Sequence, residues 1–412
     1  MADNVVEVFA QRGLLAQATD VEPAARLAEP CTVYVGFDPT ADSLHVGHLV
    51  PVMGLAWLQR CGHRPIALVG GATALVGDPS GKTASRQMLS HDEIADNVRA
   101  IGAQIARLVR FGDGPQDAVL VNNADWLAGK NWIELLREVG PCFSVNRMLS
   151  MDSVKGRMES GGITFLEFNY MVMQAYDFLH LHRSLGCTVQ MGGQDQWGNI
   201  VMGIELGRRL AGASLAGLTI PLVMKADGTK FGKSEAGNVW LAAERTPVYD
   251  FYQFWRNVAD ADVRRFLSYF TFLPMAEIDA LTAVDGQALN AAKERLAVEV
   301  TTLIHGAQAA ERCRGDARRA FGGQDLGGAS IPHAPLAAAE LAAGIGLLDL
   351  GRRGGLWGSN SEGRRLVQGG GVRLHEAVIS DPARVVSSAD VSDGVIVLRC
   401  GKKRLMRFDI SG

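Results

Sequence analysis

From Thr32 to Met224, short apolar runs alternate with helical patterns, and this alternation narrows the chain to an α/β fold. Thr32 to Gly36 and Arg64 to Gly71 read as buried parallel strands joined by a helix from about Val46 to Gln59. Ala118 to Asn122, Thr188 to Gly192 and Leu218 to Met224 supply three more strands, the last two separated by the helical stretch Gln196 to Leu210. Such an order predicts a Rossmann-like, doubly wound parallel sheet. The helical pattern between the third and fourth strands, about 126–182, is too long for one crossover and reads as an insertion. An amphipathic helix, Val5 to Leu15, precedes the first strand.

The sheet and its insertion occupy residues 1–224, a loop and connection fill 225–247, and apolar spacing over 248–321 is helical throughout. Residues 322–335 are rich in Gly, Ala and Pro and read as a linker. A small α+β domain is expected over 336–412. There Ser359 and Glu362 form a capping box for a short helix ending at Gly369-Gly370-Gly371, and strands such as Val395 to Arg399 follow.

No apolar run reaches the roughly 20 residues of a membrane span, and Asp3 and Glu7 interrupt any secretory start, so a soluble cytoplasmic protein is expected. Six scattered cysteines without a C-x-x-C pair suggest neither a zinc knuckle nor a disulfide framework, and no protein-bound structural metal is expected. Net charge is −3, but residues 341–412 carry +4 and the first 340 carry −7. A basic module on an acidic body is the footprint of a nucleic-acid contact, although a solvated tail gives the same count.

The chemistry concentrates in two places. YVGFDPTADSLHVGH, Tyr34 to His48, lies where a strand gives way to a helix at the carboxyl edge of the sheet, where ligands of such folds bind. His45 and His48 can face a phosphate approaching the free amides of that first turn, and Gly47 lets a flat base lie against the backbone. A metal site would need a third ligand nearby, and an isolated His-x-x-His is more often surface or core. KADGTKFGKS, Lys225 to Ser234, places Lys230 and Lys233 on a Gly-containing loop suited to a departing pyrophosphate, or, taken alone, to plain solvation. Gly77 to Thr83 looks like a P-loop, but the glycine required five places before Gly81 is Val76, which argues against a P-loop nucleoside triphosphatase or kinase.

Together these words resemble the bacterial-type tyrosyl-tRNA synthetases, of the class I aminoacyl-tRNA synthetase fold, over the whole chain. His45-Val46-Gly47-His48 is similar to the family's HIGH motif, and Lys230 to Ser234 to its KMSKS loop, departing at Phe231 and Gly232 where Met and Ser are usual. YMVMQAYDFL (Tyr170 to Leu179) and GGQDQWGN (Gly192 to Asn199) narrow the match. The resemblance implies that Tyr34 and Asp177 hold the phenol hydroxyl of substrate tyrosine, Tyr170, Gln174 and Asp78 its ammonium group, and Gln196 its carboxylate. It also implies an ATP site at Gly36, Asp38, Thr40, Gly47, His48, Gly193, Asp195, Lys233 and Ser234. Thr40 and His45 would meet the γ-phosphate end, and Lys82, Arg86, Lys230 and Lys233 the departing pyrophosphate.

The implied reaction joins tyrosine to its tRNA through tyrosyl-adenylate, with Mg2+ accompanying ATP. A buried phenol hydroxyl needs an acceptor and a donor, which Asp177 and Tyr34 supply, whereas phenylalanine would leave the carboxylate unpaired. Read without the resemblance, Tyr170, Gln174 and Asp177 are equally one polar helix face. The last domain resembles a small RNA-binding fold shared with a ribosomal small-subunit protein, which implies tRNA contacts at Arg364, Arg365 and the Lys402-Lys403-Arg404 cluster. The family forms homodimers through the insertion, here roughly 126–165. Two rivals stay open on sequence: the tryptophanyl counterpart, and a non-catalytic RNA-binding relative, which should have lost His45, His48, Lys230 and Lys233.

Overall fold

The computed structural model describes residues 4–80, 89–229, 231–234, 237–322, 332–375, 377–392, 394–401 and 404–411. Lys82, Arg86, Lys230, Lys402 and Lys403 lie outside them, as do the side chains of Lys233 and Ser234. The chain forms two compact units, Met1–Ala242 with Ala259–Asp285, and Ala243–Val258 with Gly286–Gly412.

The first unit is built on six strands: β1 Gln17–Ala18, β2 Thr32–Phe37, β3 Arg64–Val69, β4 Val119–Asn122, β5 Cys187–Gly193 and β6 Ala216–Ile220. Their order is β1-β6-β5-β2-β3-β4, all parallel except the edge strand β1. The expected parallel sheet is present, with β1 as an antiparallel edge that its two residues did not announce. β6 stops at Ile220, short of Met224, because Pro221 has no N–H for a ladder bond. From β2 the chain builds outward through β3 to β4, then returns to lay β5 on the opposite side of β2. The order therefore reverses between β2 and β5, and their carboxyl ends open the crevice where ligands of open α/β sheets bind.

Five helices frame this sheet: α1 Val5–Arg12, α2 Leu49–Arg60, α3 His91–Ile105, α4 Phe165–Leu185 and α5 Trp197–Ala211. α1 closes at Gly13, whose N–H caps the Ala10 and Phe9 carbonyls, so it is shorter than its apolar pattern to Leu15. α3 starts on a capping box in which the Ser90 N–H donates to Glu93 Oε2 at 2.8 Å. Between β4 and α4 lie only short helices, Ala124–Leu127, Trp132–Val139, Val145–Leu149 and Asp152–Glu159. Val33, Ile66, Leu68, Phe178 and Leu181 are fully or nearly fully buried, each worth about 1.5–3 kcal/mol on removal from water.

Helices Val263–Phe270 and Met275–Thr282 also belong to the first unit, although their spacing continues the helical pattern that begins at Val248. Arg12, buried at the end of α1, donates to the carbonyls of Ser268 (3.0 Å), Thr271 (3.0 Å) and Leu273 (2.6 Å). It thereby satisfies the orphan acceptors at one helix terminus.

In the second unit Phe251, Tyr252 and Trp255 of helix Val248–Arg256 are fully buried, as is Leu296 of Asn290–His305. Its C-terminal part is a five-stranded sheet in the order Ala377–Ile379, Val372–Leu374, Val395–Cys400, Arg404–Ser411, His333–Ala337, with helices Leu347–Arg353 and Asn360–Gln368. His333–Ala337 begins inside the stretch read as a linker and pairs parallel with the last strand. Ser359 caps the predicted helix, accepting from the Glu362 N–H at 3.2 Å.

Candidate active site

The crevice at the ends of β2 and β5 collects the residues that the sequence marks. After β2, Asp38 accepts from the Tyr170 hydroxyl at 3.0 Å through one oxygen and from Thr73 Oγ1 at 3.1 Å through the other. Asn123, fully buried just past β4, gives one amide hydrogen to Thr73 Oγ1 at 3.1 Å and one to Asp177 Oδ2 at 3.0 Å. Trp126 Nε1 donates to Asp177 Oδ1 at 2.8 Å. One network thus runs from Tyr170 to Asp177 across three segments distant in sequence.

A second network lies beside it. Gln196 Nε2 donates to Asp78 Oδ2 at 2.7 Å, and the Ser80 N–H donates to the other Asp78 oxygen at 2.9 Å. Asn199, one turn along α5, donates to both Gln196 Oε1 (3.1 Å) and Gln174 Oε1 (2.9 Å). Tyr170, Gln174 and Asp177 therefore do share one face of α4, as their spacing suggests, and that face is polar because it is met by donors and acceptors from other segments.

At the bottom of the crevice the Tyr34 hydroxyl is buried and makes no hydrogen bond among the described residues. Burial, then the charge of Asp177, pushes its pKa well above the usual phenol value. Burial first, and the charge of Asp38 next, also raises the Asp177 carboxyl to about 7, against the opposing hydrogen bonds from Asn123 and Trp126. A carboxyl whose proton leaves near neutrality, beside a hydroxyl with nothing to bond, is an unfinished hydrogen-bonding pair. Its missing member is a group that donates to a carboxylate and accepts from a hydroxyl.

The His-x-x-His turn closes the other wall. His45 caps the turn Val46–His48 that leads into α2: its Nδ1 accepts from the Gly47 N–H at 3.0 Å, while its own N–H donates to His48 Nδ1 at 3.3 Å. The imidazoles stack with centroids 3.9 Å apart. Any Cβ at position 47 would sit 2.8 Å from His45 Cε1, so only glycine lets the ring fold over the turn. Thr40 and Gly36 are exposed along the same edge; Gly193 ends β5, and Asp195 lies in the turn Gln194–Gln196 that follows it.

Sequence reasoning missed Thr73, Asn123 and Asn199 as members of the site and took Trp126 only as the start of the insertion. The available signal was the polar pair Asn122-Asn123 at the carboxyl end of a strand in the same sheet. In the C-terminal sheet domain Arg364 and Arg365 are exposed. Arg404 instead donates to the Leu356 carbonyl at 2.8 Å and lies 3.7 Å from Glu362, so it is engaged within its own domain.

Residues 26–322 match the family model of class I tRNA synthetases for tryptophan and tyrosine. The chain belongs to the class I tRNA synthetases. This synthetase is 50% identical over 405 residues to the tyrosine–tRNA ligase of Rhizobium meliloti, covering 97% of each chain. It is also 50% identical over 400 residues to the tyrosine–tRNA ligase of Rhodospirillum rubrum, covering 96% of each. Among solved structures it is similar to a C-terminally truncated mitochondrial tyrosyl-tRNA synthetase of Aspergillus nidulans, with a TM-score of 0.69 at 31% identity over 77% of this chain and 94% of that one. A tryptophanyl-tRNA synthetase of Encephalitozoon cuniculi shares the fold, with a TM-score of 0.56 at 14% identity over 76% of this chain and 91% of that one.

Proposed function

We propose that this synthetase activates tyrosine with ATP to tyrosyl-adenylate and pyrophosphate, then transfers tyrosine to the 3′ end of its tRNA. The observation that carries this reading is the unsatisfied Tyr34 hydroxyl beside the near-neutral Asp177 carboxyl. A phenol hydroxyl completes the pair, donating to Asp177 and accepting from Tyr34. An indole has no oxygen for this position, which favours tyrosine over tryptophan.

On this reading Tyr170, Gln174 and Asp78 receive the ammonium group, and Gln196, already donating to Asp78, orients it and helps place the carboxylate. Asp195 takes the ribose, the bare Gly36, Gly47 and Gly193 receive the adenosine, and Asp38 braces Tyr170 while facing the nucleotide. Thr40, His45 and His48 meet the phosphates. Lys82, Arg86, Lys230 and Lys233, with Ser234, neutralise the leaving pyrophosphate, and Mg2+ arrives with ATP rather than in a protein cage. In-line attack of the carboxylate on the α-phosphate needs alignment and charge neutralisation more than a general base.

Transfer places tRNA on the C-terminal domain through Arg364, Arg365, Lys402 and Lys403, with the helices from Val248 toward the anticodon. Trp132, Ile133 and Phe165, half or more exposed on the insertion, support a homodimer through that face. The setting is the cytoplasm; among the described residues no helix is long and apolar enough to cross a membrane.

The deciding experiment is pyrophosphate exchange with ATP and each amino acid in turn. Exchange driven by tyrosine supports the proposal, and exchange driven by tryptophan or by neither overturns it. Lys233→Ala should cost about 2–4 kcal/mol in the barrier to adenylate formation with tyrosine affinity unchanged, because its partner charge develops only as pyrophosphate leaves. Rapid adenylate formation by that variant in a single-turnover assay would remove Lys233 from the role.

Binding should also depend on pH. The substrate hydroxyl donates to the ionised carboxyl, so below the raised pKa of about 7 tyrosine binding must expel the Asp177 proton. Affinity should rise by up to about tenfold per pH unit as pH increases toward 7, then level off. Calorimetry in buffers of different ionisation enthalpy should detect proton release at pH 6 and little at pH 8.

A further inference from the structure

In the loop word KFGKS the residues just before Lys233 are Phe231 and Gly232, and the structure gives these two residues a joint of their own. The Phe231 ring is buried against Phe266, with centroids 4.7 Å apart, and against Phe270 at 5.4 Å. Both partners lie on helix Val263–Phe270. The same helix and the turn before it hold the start of the loop: Asp262 accepts from the Ala226 N–H at 3.1 Å, and Arg265 donates to the Met224 carbonyl at 2.6 Å and pairs with Asp262.

On its other side the joint meets the His-x-x-His turn. Gly232 has φ +87°, and a Cβ there would lie 3.1 Å from Val46 Cγ2 and 3.4 Å from the Gly47 nitrogen. The Val239 N–H donates to the Gly232 carbonyl at 2.9 Å, and the Val46 N–H donates to the Val239 carbonyl at 2.9 Å. A side chain at 232 would need both a left-handed backbone and space that the turn already fills.

We infer that Phe231 is a positioning residue: seated between Phe266 and Phe270, it fixes where Gly232 meets the Val46–Gly47 turn, and so sets the register of Lys233 against the nucleotide. This rests on the proposed adenylate chemistry. Phe231 is buried against helix Val263–Phe270, so its effect reaches the reaction through Gly232 and the residue after it.

The consequence is a separation of rate from affinity. Phe231→Ala should lower kcat of tyrosine-dependent pyrophosphate exchange by about tenfold to a hundredfold, the cost of a small misplacement of a reacting group. Its tyrosine Kd by equilibrium dialysis should stay within about twofold, because remote positioning is felt in the transition state alone. Phe231→Met, which refills the seat with a flexible apolar chain, should recover most of the rate. Phe270→Leu alone should slow exchange in the same way, and the double variant with Phe231→Ala should be no slower than Phe231→Ala, since the contact between these two rings is already lost in Phe231→Ala.

A Phe231→Ala variant as fast as the wild type overturns the inference, as does a loss of rate matched by a loss of tyrosine binding, or a Phe231→Met variant that regains thermal stability without regaining rate. Multiplying losses in the double variant would also overturn it. A wild-type chain without tyrosine-dependent exchange would instead overturn the functional reading beneath it, so the two failures are distinct.

Discussion

Replacing Asp177 by asparagine is expected to collapse the preference for tyrosine over phenylalanine. Both carboxylate oxygens already accept from donors that cannot reverse, Asn123 Nδ2 at 3.0 Å and Trp126 Nε1 at 2.8 Å. Asn123 is committed because its oxygen accepts from the Ala72 N–H at 2.8 Å, and an indole nitrogen only donates. Whichever way an amide is turned at 177, its NH2 faces one of these donors, so the side chain is misoriented or its neighbours shift. The substrate hydroxyl then loses its charged acceptor. Tyrosine activation should fall relative to phenylalanine by about 1–3 kcal/mol, or roughly five- to 150-fold in kcat/KM. Tyr34→Phe should shrink the ratio less, because it removes only a neutral partner. Competing exchange assays with the two amino acids measure this directly, and an unchanged ratio in both variants would place the hydroxyl elsewhere.

Cutting the chain after Gly328 should separate the two half-reactions. The cut falls among residues outside the described ones, and all five strands of the C-terminal sheet lie beyond it, so that sheet is removed whole. The remaining chain keeps every residue assigned to adenylate formation. Pyrophosphate exchange should persist near the intact rate, while tRNA charging at low tRNA concentration falls by about two orders of magnitude or more as phosphate contacts are lost. With Arg404 engaged internally, four basic residues remain available to tRNA, and the slope of log affinity against log salt should flatten by about 3. Thermal unfolding of the shortened chain must show a cooperative transition. A folded fragment that charges tRNA at the intact rate would reduce the basic count to solvated surface.

What was legible in the sequence was what is local. Strands β2, β3 and β5 appear as apolar runs because the middle of each is buried, and the His45 to His48 and Lys225 to Ser234 words are contiguous. The polar face of α4 was legible too, since Tyr170, Gln174 and Asp177 recur at helical spacing. What faces it was not. Thr73, Asn123 and Trp126 come from two other crossings of the sheet, and a single threonine or asparagine carries no periodic signal. Helix Val263–Phe270 shows the same limit: its strong amphipathy announces a buried face but not that Phe231 is among its partners. Arg12 is the extreme case, because a guanidinium that caps another helix some 260 residues away looks like surface charge.

The division of the chain into interrupted units also bears on how it is made. The first unit closes only with Ala259–Asp285, which supplies the carbonyls for Arg12 and the aromatic seat for Phe231. During vectorial synthesis the sheet emerges first, yet its last pieces arrive only after Ala243–Val258, a segment of the second unit, has left the ribosome. Helix Val248–Arg256 must then wait for Asn290–His305 before Trp255 is covered. A nascent chain stalled before residue 285 should therefore be protease-sensitive around Phe231 even with its sheet formed, and an adenylate-forming fragment must extend at least to Asp285 rather than stop at the end of the loop.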